Sequence, residues 1–376
     1  HEQAPPDEPP RLKDVVLWGS FLLYALRRSP TELPRPLRRT WVPLLLGAYI
    51  FVVLLQAFNL RQPSLIAGAI GLKAHLAYLP LVVLLPALVA ETSSKQLMRV
   101  MWGYTLFVFL PVVALGMYQF TQPPTAWINQ YVRDMGSVAS LVKGVPRITG
   151  TFPYIGSFTA YLVVNAFLSV AVLFAGLRWK RRPLIVLGGI LLAASLIILP
   201  MAGSRGPVLI FGGGVLALLV ATRDVHGRRF QFLAVAAVIG LLVVQGIAGL
   251  DVAEQGWEAF AERVDRAGNE EAQNRIVDVI LGPVTGAERA GLFGYGVGTA
   301  HQATPRFVAA ATHTWLPEGY LENGLVRLII ELGILGWLVL VSLKLTLLYL
   351  AYQTIQNSRK PLELIVGATA FCVLLS

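Results

Sequence analysis

The chain has 376 residues, of which 55% are hydrophobic and 14% charged, and a formal net charge of +10. A soluble protein of this length needs far more polar surface to cover itself, so the composition excludes that class. The basic residues sit in short loops between apolar runs, which excludes a solvated nucleic-acid face, and the single Cys372 excludes an intrachain disulfide or a cysteine metal cluster.

Residues 1–14 begin with an acidic, proline-rich stretch (Glu2, Pro5, Pro6, Asp7, Glu8, Pro9, Pro10) and read as a disordered tail. Apolar runs follow at 15–27, 41–59, 64–90, 97–120, 154–177, 183–200, 206–222, 230–250, 325–352 and 361–376. Most have the length that crosses a hydrocarbon core as helix, roughly 18 to 25 residues. Nothing alternates in the way a transmembrane strand does. The expected fold is therefore an all-α integral membrane protein, a polytopic helical bundle of about 10 or more transmembrane helices. Its parts are an N-terminal bundle over 15–250, a large loop with an amphipathic helix over 251–324, and C-terminal helices over 325–376. The chain starts at His1 rather than Met and stops at Ser376 inside an apolar run, so both ends read as cut and the helix count as a minimum.

The loops alternate in character. Arg27, Arg28, Arg35, Arg38 and Arg39 fill the first, and Lys95 and Arg99 flank a later one. Arg178, Lys180, Arg181 and Arg182 form a dense cluster, followed by Arg223, Arg228 and Arg229, and then by Arg359 and Lys360. Two spans separate each group from the next, so all fall on one side, which the positive-inside rule makes cytoplasmic. The loop at Arg61 and those over 121–153, 201–205 and 251–324 are then external. The last is far longer than a connection requires, and long loops on a rigid scaffold commonly carry function. Within it Trp257, Phe260, Ala261 and Val264 fall at helical spacing, with Glu254, Glu258, Glu262 and Asp265 elsewhere on the turn. Such a helix either covers the top of the bundle or contacts a lipid substrate.

Three arginines lie outside the cytoplasmic clusters: Arg147 in Arg147-Ile148-Thr149-Gly150-Thr151-Phe152, Arg205 in Gly203-Ser204-Arg205-Gly206, and Arg275 in the large loop. The topology, derived from other residues, puts all three on the external side. Arginine near a membrane is costly, about 2.5–3.5 kcal/mol at a helix centre on insertion scales. A helix start beside Arg205 adds free N–H groups and a positive dipole end, a combination suited to phosphate. The competing reading is that Arg147 and Arg205 reach lipid headgroups or pair with loop carboxylates. Glu331 lies inside an apolar run one turn after Arg327, which points to a structural ion pair. Glu322 is nearer the loop, as a base at the water-facing end of a helix or a solvated acid. A continuous helix would put Glu322 and Glu331 on opposite faces, so they do not form one carboxylate pair. The turn Gly294-Tyr295-Gly296-Val297-Gly298 lacks the preceding strand and following GK[ST] of a nucleotide loop. His301 and His313 are twelve residues apart, a spacing that fits no helical metal pair. No metal or cofactor is expected, and no serine triad pattern appears.

Taken in order, the Arg147–Phe152 motif, an apolar span, Ser204-Arg205-Gly206, Arg275 in a long external loop, Phe293–Gly298 and Glu331-Leu332-Gly333-Ile334-Leu335-Gly336 resemble the O-antigen ligase and O-antigen polymerase family. The likeness covers roughly residues 145–340. It implies a plan similar to GT-C glycosyltransferases in a bacterial inner membrane, with the active site facing the periplasm. Such enzymes move a glycan from an undecaprenyl pyrophosphate carrier to an acceptor glycan or lipid hydroxyl, without nucleotide sugar or metal. Carried over by position, Arg205 and Arg275 would bind the pyrophosphate and act in catalysis, with Arg147 and Arg327 as further substrate-binding candidates. Ligases of the family usually carry His-Asn where this chain has Glu322-Asn323. Glutamate can take the acceptor proton equally, and the departure favours a polymerase over a ligase. A lipid or small-molecule transporter is the alternative from another class; against it, midspan polar residues are few (Lys73, His75, Glu331, Lys344) and the halves show no symmetry. A purely structural assembly subunit would leave the three external arginines unexplained.

Overall fold

A computed structural model describes residues 12–27, 40–82, 84, 93–129, 141–142, 145–152, 155–203, 205–226, 281–301, 304 and 324–376. These residues form ten helices: α1 (Leu12–Arg27), α2 (Val42–Ala57), α3 (Leu65–Leu76), α4 (Ser94–Tyr104), α5 (Leu110–Thr121), α6 (Ile155–Arg178), α7 (Arg182–Met201), α8 (Arg205–His226), α9 (Gly324–Gln356) and α10 (Pro361–Leu375). Residues 281–290 are also helical. Five stretches among the described residues are long and apolar enough to cross a bilayer: Leu65–Val82, Ser94–Thr121, Ile155–Arg178, Arg182–Met201 and Gly324–Asn357. The chain is thus helical and multi-pass. Its only strands among the described residues are the two-residue β1 (Leu141–Val142) and β2 (Val145–Pro146), paired antiparallel with Val142 opposite Val145.

Several boundaries differ from the sequence reading. α1 starts at Leu12, inside the stretch read as a tail. The run 64–90 is helical over Leu65–Leu76 and turns at 77–79 before resuming over 80–82. The run 97–120 is one span made of α4, a π-helical segment over Thr105–Phe109 and α5. Pro111 explains the widening: it has no N–H for the carbonyl four residues back, and its ring would collide there. The run 230–250, the amphipathic segment near Trp257, Arg275, His313 and Glu322 lie outside the described residues.

The chain divides into two compact units, residues 1–93 with 269–346 and residues 94–268 with 347–376. The second is held by shape. Phe109, Phe158, Phe167, Leu162, Leu187 and Ile198 are all fully buried. α6 and α7 form a hairpin whose backbones nearly touch: a Cβ on Gly188 would lie 2.5 Å from the Leu173 nitrogen. In a bilayer such close approach, through small residues, is what favours helix association. Several serine and threonine side chains here return to their own helix, as Ser195 Oγ does to Leu191 O at 2.7 Å.

The first unit is built around a defect. α9 breaks at Gly333, whose φ of 70° and ψ of 179° no helix contains. A break inside a membrane span must have its freed backbone groups satisfied within the protein. The 290–297 segment does this. Tyr295 N–H donates to Ile330 O at 2.9 Å and Gly296 N–H to Glu331 O at 3.1 Å, while Ile334 and Leu335 donate to Gly291 and Leu292 carbonyls at 3.1 and 3.3 Å. Gln56 Nε2 from α2 reaches Leu332 O at 3.5 Å and also donates to Phe293 O. Gly298 makes the turn possible. Its φ is +83°, and a Cβ there would run into the Ala67 carbonyl oxygen and the Gly71 nitrogen of α3.

Candidate functional site

In the first unit, Glu331 is the residue on which several elements meet. It is 1% exposed, two positions before the helix break. Its Oε2 lies 2.8 Å from His75 Nε2 on α3, and its Oε1 accepts the Ala300 N–H at 3.1 Å. Arg327 Nε, one helical turn earlier on α9, is 3.5 Å from the same Oε1. Tyr49 Oη on α2 lies 2.7 Å from His75 Nδ1. Tyr49, His75 and Glu331 thus form one hydrogen-bonded chain, and the Glu331 carboxylate also has Arg327 and the Ala300 N–H beside it, as a buried ionisable group requires. The expected Arg327–Glu331 pair is present, but it is one edge of a larger network.

The glycine turn explains why this is no phosphate loop. The N–H groups of Gly294, Tyr295, Gly296 and Val297 are spent on Ala290, Ile330, Glu331 and Gln56 carbonyls. None of those four is left to cradle an anion. The turn ends at His301, which is half-buried. Burial first, and the Arg327 guanidinium second, hold its imidazole below the usual range, against the opposing pull of Glu331. Arg327 itself is 28% exposed, so the network covers its side chain only in part. Beside the break, Phe51, Leu55, Phe58, Arg61, Phe293 and Leu335 line part of an apolar groove of about 590 Å³. The Arg61 guanidinium lies over the Tyr295 ring, 5.6 Å from its centroid.

The second unit holds the other two described candidates. The β1–β2 hairpin delivers the chain directly to Arg147. The next residue, Ile148, is fully buried. Gln119, near the end of α5, then pins the turn: its Oε1 accepts from Thr149 and Gly150 N–H at 3.2 and 2.8 Å, and its Nε2 donates to Gly150 O at 3.1 Å. Arg147 Nε, fixed by these neighbours, donates to Ala202 O at 3.4 Å. Ala202 and Gly203 form the turn after α7, and Arg205 is the first residue of α8. The Arg147 motif and the Arg205 helix start therefore meet at one end of this unit, by the C-terminus of α7. Arg181, at the N-terminus of α7, belongs to the opposite end.

Among the described residues, no three His, Cys, Asp or Glu side chains gather closely enough to hold a metal ion. Sequence reasoning noticed His75 and Glu331 as midspan polar residues without pairing them, and it passed over Tyr49 and Gln56. An ionisable group inside an apolar span needs a partner, so the two residues could have been matched by that rule. Comparison with protein-family models and with curated proteins finds no match for this chain.

Proposed function

We propose that this chain is a membrane glycosyltransferase that moves a glycan from an undecaprenyl-pyrophosphate carrier onto an acceptor hydroxyl at the periplasmic face, acting as a polymerase. The observation that carries the reading is the meeting of Arg147 with the turn that opens the Arg205 helix. The two motifs are separated by the whole of α6 and α7, and they adjoin as a phosphate-binding role requires. Arg205 and Arg275 bind the pyrophosphate in this reading, with Arg147 and Arg327 as further substrate contacts.

The chemistry needs no metal. The acceptor oxygen attacks the anomeric carbon, its bond to the pyrophosphate oxygen breaks, and the electron pair leaves with the phosphate. Guanidinium groups neutralise the leaving charge, each charge-assisted hydrogen bond contributing about 1.5–3 kcal/mol. Glu322 takes the acceptor proton. Deleting the gene and analysing lipid-linked and surface glycans tests this. Single repeat units on the carrier support a polymerase, and long chains stranded on it point to a ligase. Unchanged glycans would remove both.

A second reading, a lipid or small-molecule transporter, has one observation in its favour. A helix broken at Gly333 beside a buried Glu331–His75 pair is the kind of feature transporters place along their pathway. Proton-dependent flux into liposomes, with glycans unchanged on deletion, would select it.

A further inference from the structure

The end of the second unit that carries the basic loops has a cavity the proposed function does not use. Its volume is about 310 Å³. Its floor is apolar, with Met98, Met101, Leu184 and Ile365; Leu184 and Ile365 are buried. Two cations, Arg181 and Lys360, stand in its wall. They come from connections far apart in sequence, one before α7 and one before α10.

Both occupy positions that helix stability disfavours. Each is the exposed N-cap residue of its helix, in extended conformation, and neither side chain is a natural acceptor for helix N–H groups, although in α10 Glu363 at the third position accepts from the Lys360 N–H. A cation there also faces the positive end of the helix dipole. α4 opens at Ser94, on the same cavity, so three helix N-termini converge on it. Among the described residues neither cation has an acidic partner. The carboxylate of Glu363 is taken up by the Arg359 and Lys360 N–H groups and does not line the cavity. Pro183 and Pro361 lack an N–H, so binding there depends on the two side chains and the dipoles. Placing basic residues on one side of a membrane does not require them to share a cavity at two N-caps. An anion between them makes the arrangement favourable.

We infer that this cavity binds the phosphate of an anionic membrane lipid, with Arg181 and Lys360 on the phosphate and the first methylenes of its chains on the Met98–Ile365 floor. The two cations and the apolar lining together select an amphiphile. Basic pockets between transmembrane helices are the usual seats of such headgroups. The lipid joins the starts of α4, α7 and α10 and stabilises this unit.

The test uses the purified chain, stripped of lipid in detergent, with phosphatidylglycerol or phosphatidylcholine added back and bound lipid counted by native mass spectrometry. Phosphatidylglycerol should be retained on the order of tenfold better, and R181Q combined with K360Q should remove that preference. R359Q, in the same loop but outside the cavity, should keep it. Equal retention of the two lipids, or full preference in the double variant, would overturn the inference. Displacement by millimolar inorganic phosphate, with no preference for lipid, would make this a soluble-anion site and equally overturn it. Thermal unfolding separates misfolding from lost binding, because a variant that folds but no longer gains stability from phosphatidylglycerol has lost the site alone.

Discussion

The two units of this chain meet the same demand in opposite ways. In the second, long helices approach closely at glycines, the described core is large, and several serine and threonine side chains turn back onto their own helix. In the first, the core cluster among the described residues is small, formed by Tyr49, Val53, Ala57, Val297 and Leu332. What joins α2, α3, α9 and the glycine turn is polar: a buried carboxylate with three nitrogen partners, and backbone groups exchanged across a helix break. A membrane unit held by shape tolerates polar isosteres and suffers from lost volume. One held by a buried charge behaves in the reverse way, and removing a single atom's charge is the sharpest way to tell them apart.

The largest effects expected are on activity. Arg205→Ala and Arg275→Ala should each reduce transfer by on the order of a hundredfold or more while leaving membrane insertion intact, as measured by donor turnover and by yield in the membrane fraction. Wild-type turnover in either variant would discredit the assigned roles. Next comes Glu331→Ala, which leaves His75, Arg327 and the Ala300 N–H without their acceptor. Breaking a buried pair in this way costs about 3–5 kcal/mol, and thermal unfolding in detergent should show it. Glu331→Gln keeps the shape and should still destabilise. If the glutamine variant unfolds with the wild type, the network is not what holds this unit.

Leu187→Ala provides the matching cut in the second unit, with a cost of about 2–5 kcal/mol from the buried volume lost. Gly298→Ala forces a Cβ into a left-handed turn against α3, and the strain should cost at least about 1–3 kcal/mol. Smaller still is Tyr104→Phe, which deletes an O–H 2.8 Å from Asn165 Oδ1 and should cost about 1 kcal/mol.

The smallest expected effect is a pH slope. His301 has a folded pKa below its unfolded one. Between the two values the unfolded chain binds more protons, so its contribution to stability is complete above about pH 6.5 and falls away as the pH drops below that. His301→Gln should flatten the dependence of the unfolding temperature between about pH 5 and 7. An unchanged slope would place the titrating group elsewhere.

Much of the architecture was legible because apolar length is a strong and local signal. Most of the described runs come within a few residues of the helices observed, and among the described basic residues Arg181 and Lys360 share one end of the second unit, with Arg147 and the start of α8 at the other. The break at Gly333 was not legible. The run 325–352 is apolar apart from Arg327, Glu331 and Lys344, and what opens it is a backbone exchange with a turn some forty residues earlier. The Glu331 network was half legible: Arg327 is one turn away and was paired correctly, whereas His75 lies on another helix, 256 positions distant. Local periodicity carries no information about such a pairing. The phosphate-loop look of the glycine turn was set aside for its missing neighbours, and the hydrogen bonds of the turn supply the physical reason.

The most direct measurement of the central claim is reconstitution of the purified chain in nanodiscs with a synthetic oligosaccharide on undecaprenyl pyrophosphate. Wild-type protein should lengthen the lipid-linked glycan and release one undecaprenyl pyrophosphate for each bond made, with neither product from the folded Arg205→Ala variant. Intact donor with the wild type, or equal release from both proteins, would contradict the account.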